Sequence, residues 1–113
     1  INPQCVQGQI EGAVVQAAGY VLLEDFIQKD GYVITDMLSK YMIPSVMDIP
    51  FEIDSIILEY PDTIGPFGAR GMGEMPYMPL APAIIDAMHD ATGIWFTEFP
   101  LTPERVLRGL GKL

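Results

Sequence analysis

Three patterns predict an α+β fold: two stretches where apolar residues recur at three- and four-residue intervals, short β-prone runs between glycine and proline turns, and a capped segment near the end. The expected architecture is two longer helices and a short C-terminal helix beside a small mixed or antiparallel sheet of about three or four strands. At 113 residues there is room for a single domain, spanning 1–113, with one modest core.

Between Gln9 and Phe26, the residues Ile10, Ala13, Val14, Ala17, Val21 and Leu22 hold the period of an amphipathic helix. Gly8 and Gly12 flank Gln9 and keep the expected first turn narrow, where free N–H groups and the positive dipole end favour a negative group. Tight helix packing is the other use of such small residues. Asp30-Gly31 marks a turn, and Tyr32-Val33-Ile34-Thr35 is β-prone. From Met37 to Pro50 no period emerges, and Pro44 and Pro50 oppose regular structure. Phe51-Glu52-Ile53-Asp54-Ser55 alternates apolar with polar, then Ile56-Ile57-Leu58 is continuously apolar. That predicts a strand half exposed at its start and covered on both faces later. Leu80, Ile84, Ile85, Met88 and Ala91 predict a second helix, with Pro79 and Pro82 confined to its opening turn and Gly93 as its stop. Ile94-Trp95-Phe96-Thr97 reads as a further strand. Thr102 then caps a terminal helix with Pro103 at its first position, ending near Gly109 and Gly111.

Fifteen acidic against six basic residues give a formal charge of −9, which opposes nucleic acid and anionic membrane surfaces as partners. No apolar run reaches the roughly 18 residues of a spanning helix. The single cysteine, Cys5, cannot form an internal disulfide; it is expected to be a buried small hydrophobe in a reducing, cytoplasmic compartment. Hydrophobic residues make up 50% of the chain and mean hydropathy is +0.27, so part of the apolar surface is expected to lie against a partner. Beginning at Ile1, the chain reads as a piece of something longer. His89, beside Asp86 and Asp90 and without a second histidine, is expected to be solvated or paired and not a metal ligand. Met72, Met75 and Met78 are expected to serve packing.

The densest cluster of turn residues is Ile64–Pro76, with four glycines and two prolines in thirteen residues and Glu74 near its end. Because nothing bulky beside Glu74 holds the backbone away, its carboxylate can come within hydrogen-bond reach of a reacting centre, as a general base must. A plain connector between strand and helix is the other use of this composition.

The run Gly68-Ala69-Arg70-Gly71-Met72-Gly73-Glu74, preceded by Gly65-Pro66 and followed by Pro76, resembles the active-site loop of the molybdenum-binding subunit of the xanthine dehydrogenase and aldehyde oxidase family. Asn2-Pro3 and Gly8-Gln9-Ile10-Glu11-Gly12, leading to Gln16, Gly19 and Glu24, are similar to the segment by which that subunit holds its pterin cofactor. Pro100-Leu101-Thr102-Pro103-Glu104-Arg105-Val106 is similar to the family's closing helix. The three segments keep the family's order, so the resemblance spans almost the whole chain.

The resemblance implies the C-terminal portion of a larger molybdopterin-binding subunit. It implies that Glu74 is the general base, taking a proton from a molybdenum-bound hydroxyl during hydroxylation of an N-heterocycle or aldehyde. Gln9 would contact the pterin, with Gly8, Gly71 and Gly73 as bare backbone around the cofactor. Arg70 would orient the loop or an anionic group. No protein metal ligand is implied, because the dithiolene of the pterin, bare or as a cytosine dinucleotide, holds the molybdenum. The implied partners are the remainder of the subunit and 2Fe-2S and FAD components, and the segment alone would be inactive and prone to self-association. A non-catalytic module using the same fold for a small anion or for subunit assembly is the second reading. The net charge counts against the anion, and the apolar composition allows the assembly.

Overall fold

The computed structural model describes residues 1–113. Helix α1 runs from Pro3 to Leu22 and so begins six residues before Gln9. Asn2 is its cap: Oδ1 accepts the Cys5 N–H at 3.1 Å, and Pro3 stands at the first position, where a missing N–H loses no helical bond. Gly8, Gln9 and Gly12 therefore lie within the helix. The unpaired N–H groups expected at Gln9 belong instead to the turn that Pro3 opens. The helix stops where Gly19 O accepts both the Leu23 and the Glu24 N–H, at 2.9 and 2.8 Å.

A hairpin follows, β1 (Gln28–Lys29) and β2 (Tyr32–Val33), with Gln28 opposite Val33 and Lys29 opposite Tyr32. Its turn residues Asp30 and Gly31 both take positive φ, 51° and 82°, the combination whose twist suits a two-residue hairpin loop. These two antiparallel strands are the whole sheet. The strands expected at 51–58 and 94–97 do not form, because a strand needs a hydrogen-bonding neighbour and the chain brings none to either segment. The class remains α+β, with a smaller sheet than the pattern suggested.

Helix α2, Leu80–Thr92, closes on Gly93 at φ 74°, whose N–H bonds His89 O at 2.6 Å. Helix α3, Pro103–Gly109, is capped by Thr102, whose Oγ1 accepts the Arg105 N–H at 3.3 Å. Val21 of α1, Phe96 and Leu101 form the buried centre, and Ile84, Ile85, Met88 and Val106 pack around it. The Leu101 N–H donates to Val21 O at 2.6 Å, and Arg105 bridges Pro100 O at 2.9 Å and Asp25 Oδ1 at 3.4 Å. The loop after the hairpin is tied back by the Tyr41 hydroxyl, which donates to Glu24 Oε2 at 2.6 Å; that bond lifts the phenol above its ordinary value.

The core is small for the chain. Only 7 of 113 residues are buried, and the accessible surface is 8727 Å², against about 6,200 Å² for a compact monomer of this mass. The radius of gyration is 17.6 Å, where about 13 Å is usual. Large apolar side chains lie on that surface, Phe51, Ile56, Leu58, Ile64 and Phe67 among them. Cys5 is exposed as well, contrary to the burial expected of it, because it lies on the uncovered first turns of α1. No helix is long and apolar enough to cross a membrane.

Candidate functional site

The glycine loop is held at its base by a residue that composition alone does not single out. Asp62 Oδ1 accepts the N–H of Ile64 at 2.7 Å and of Gly65 at 3.1 Å, while its own N–H donates to Gly68 O at 2.9 Å. Those bonds to the charged form hold the Asp62 carboxyl below its ordinary value. The sequence signal was there: an aspartate two to three residues before a glycine favours this side-chain turn. Bonds from Gly68 N–H to Gly65 O and from Ala69 N–H to Pro66 O then close the bend.

Beyond the bend, Arg70 to Gly73 run without regular structure to Glu74, which opens a single 3₁₀ turn, Met75–Tyr77. That turn packs on α1. The Tyr77 ring lies 6.0 Å from the Tyr20 ring, and Tyr20 lies 5.3 Å from Phe99, so the segment is anchored at the edge of the core. Partial burial raises the Tyr77 phenol above its ordinary value, with Tyr20 and the carboxylates of Glu24 and Glu74 adding to the rise. Glu74 thus has a fixed backbone, its O accepting the Tyr77 N–H at 3.0 Å, and a free side chain. The carboxylate is exposed and makes neither a hydrogen bond nor an ion pair.

A groove of about 1080 Å³ opens between the first half of α1 and the loop. Pro3, Val6 and Ile10 form its helical wall, residues 54–61 its far wall, and residues 67–72 its end, so Arg70 and Gly71 both border it. Gly73, Glu74, Gly8 and Gln9 do not line it. On α1 the glycines Gly8 and Gly12 stand on the face opposite Val6 and Ile10. The structure therefore joins Arg70 and Gly71 to the groove, sets Glu74 just past its end, and leaves Gln9 on another side of the helix. No group of three or more His, Cys, Asp or Glu side chains is arranged to hold a metal ion. His89 stacks on Trp95 with ring centroids 3.9 Å apart and pairs with no carboxylate.

The glycines separate into two sets. Seven are demanded by the fold itself, either by a positive φ, as at Gly68 and Gly93, or by lack of room. A Cβ at Gly19 would stand 2.7 Å from the Pro44 ring, and one at Gly109 2.6 Å from Phe96 Cε1. The other four, Gly8, Gly12, Gly71 and Gly73, have no left-handed φ and no atom within 4 Å of a would-be Cβ. Within a helix, each of the first two costs roughly 1 kcal/mol relative to alanine. Nothing inside the chain explains why they are glycine, and all four border Gln9 or Glu74 in the sequence or lie within three residues of them.

A family model described as a molybdopterin cofactor-binding domain matches residues 1–50. The chain is 39% identical to the probable hypoxanthine oxidase XdhD of Escherichia coli (strain K12), over 100% of its own length and 12% of that protein. Its fold matches the crystal structure of quinoline 2-oxidoreductase from Pseudomonas putida 86 with a TM-score of 0.90 at 36% identity, covering 99% of this chain and 15% of that one. It matches the aldehyde oxidoreductase of Desulfovibrio gigas with a TM-score of 0.85 at 34% identity, covering 97% and 12%. Over nearly its whole length the chain is similar to a portion of the molybdenum-binding subunits of xanthine dehydrogenases and aldehyde oxidoreductases. It spans between 12 and 15% of the length of these three relatives.

Proposed function

We propose that this chain is the C-terminal portion of a molybdenum hydroxylase catalytic subunit, contributing Glu74 as general base and part of the cofactor cradle. The observation that carries the reading is the set of four glycines that the fold does not use. Bare backbone at Gly8, Gly71 and Gly73 leaves room for a rigid, polar group to approach the main chain beside Gln9 and Glu74. A molybdopterin cofactor, when bound, supplies the redox centre for oxidative hydroxylation and carries its own metal ligands.

The residues present have the chemistry for such a site. The Gln9 amide can both donate to and accept from a pterin edge. The unpaired Glu74 carboxylate is free to accept a proton on either oxygen. Arg70, on the groove side of the loop, offers a planar fork to an anionic group. The substrate class is an N-heterocycle or an aldehyde, in keeping with the hypoxanthine, quinoline and aldehyde in the names of the relatives. The proposed partners are the remainder of the subunit and 2Fe-2S and FAD components, in the cytoplasm, with the pterin either bare or extended as a cytosine dinucleotide.

The test uses the intact enzyme. Glu74→Gln is expected to lower turnover by about 10²- to 10⁴-fold, the usual worth of a general base, while the molybdenum content stays at the native level. Near-native turnover with full metal loading would remove Glu74 from the chemistry. That outcome would instead favour the second reading, a non-catalytic assembly module, which the large exposed apolar surface also suits.

A further inference from the structure

Residues 51–60 are an extended tract with nothing on either backbone edge. From Ile49 to Glu59 no N–H donates to any backbone oxygen, and the one carbonyl that accepts is Leu58 O, from the Tyr60 N–H at 3.1 Å. No side chain serves these groups. So long a run of unpaired amides and carbonyls is rare in a finished fold, where backbone groups are matched by a ladder, a cap or water. The side chains tell the same story. Ile53 and Ser55 are half-buried toward the molecule, whereas Ile56, Leu58 and Tyr60, at alternate positions, are 85%, 67% and 67% exposed. Two-residue alternation with apolar side chains on both faces toward the end belongs to an inner strand of a covered sheet.

We infer that residues 51–60 form a strand completed by another extended segment of the same subunit, lying outside residues 1–113, which pairs with its free edge and covers Ile56, Leu58 and Tyr60. This rests on the proposed function only in taking the chain as a portion of a larger subunit. Length supports that occupant, since relatives matched over nearly all of this chain devote 12 to 15% of their own length to it. Charge disfavours a second copy. Glu52, Asp54 and Glu59 lie in or beside the strand on a chain of net charge −9, so self-pairing would bring like charges together. The complementary segment therefore carries β-branched or aromatic residues opposite Ile56 and Leu58, and basic residues opposite the acids.

Hydrogen exchange on the intact native subunit reads this directly. Alternate amides between Phe51 and Glu59, those facing the paired edge, are expected to exchange at least ~100-fold more slowly than an unstructured chain. A photo-crosslinker placed at Leu58, whose side chain is 67% exposed, is expected to join a segment of the same polypeptide outside residues 1–113, giving a product of monomer mass. Exchange at unstructured rates would overturn the inference even if the crosslinking variant fails to fold. Crosslinking to a second copy or to a different subunit would overturn it as well. Neither readout involves turnover, so an inactive or fully active Glu74→Gln enzyme leaves this result standing, and unprotected amides leave the role of Glu74 untouched.

Discussion

In the second half of α1, Ala13, Ala17 and Val21 are buried, and Val21 packs with Phe96 and Leu101. On the same helical face in the first half, Pro3, Val6 and Ile10 border an open groove. One period therefore runs through a helix of which half lies in a core and half waits beside the glycine loop. The buried half is fixed by apolar packing and by bonds such as Leu101 N–H to Val21 O. The open half has the glycines that no internal neighbour requires. The stable end positions, and the open end is left for something else to fill.

The largest structural effect should come from the covered end. Leu101→Ala removes a side chain from the centre of a core with very few buried members, and such truncations cost about 2–5 kcal/mol. In native-state hydrogen exchange of the intact subunit, the amides of Val21 and α2 should lose protection by the corresponding factor, about 30-fold or more. Unchanged protection would mean that the core is not centred where Val21, Phe96 and Leu101 meet. A smaller effect separates the two kinds of glycine. Gly109→Ala drives a methyl into the Phe96 ring and should destabilise α3 by about 1–3 kcal/mol, seen as faster exchange of its amides. Gly71→Ala meets no atom of this chain, so exchange should stay as it was while molybdenum content and turnover fall. If Gly71→Ala left both at native levels, the open glycines would lose their link to a cofactor.

The same contrast explains what was legible in the sequence. The helices of the covered end could be read because their period and their punctuation agree: Gly93 stops α2, and Thr102 with Pro103 starts α3. The start of α1 was masked because Asn2-Pro3, a cap followed by a first-position proline, precedes a turn that has few covered apolar residues. The pattern of Phe51–Leu58 is that of a strand, yet a pattern states what a segment would pair as, and pairing needs a neighbour that lies outside these residues. For the candidate site, an exposed Glu74 follows from its small neighbours. The separation of Gln9 from the groove does not, since it depends on which face of a helix meets a loop some sixty residues further along.

The smallest expected effect is that of acid, and it again divides the molecule. Asp62 ties the base of the glycine loop through the Ile64 and Gly65 N–H groups, and these bonds exist with the ionised carboxylate, so its folded pKa lies below the ordinary 3.8. A depressed carboxylate contributes stability that is fully present above the ordinary value and is lost as the pH falls through the lower folded one. Amide chemical shifts of Ile64 and Gly65 should therefore hold steady through the usual carboxylate range and move only at more acid pH, and in Asp62→Asn that movement should vanish. A shift centred at or above 3.8 would mean the tether is absent. The cluster of Val21, Phe96 and Leu101 has no titrating member. Its amides should keep their protection while the loop loosens, so acid would release the residues leading to Glu74 before it disturbs the core that positions them.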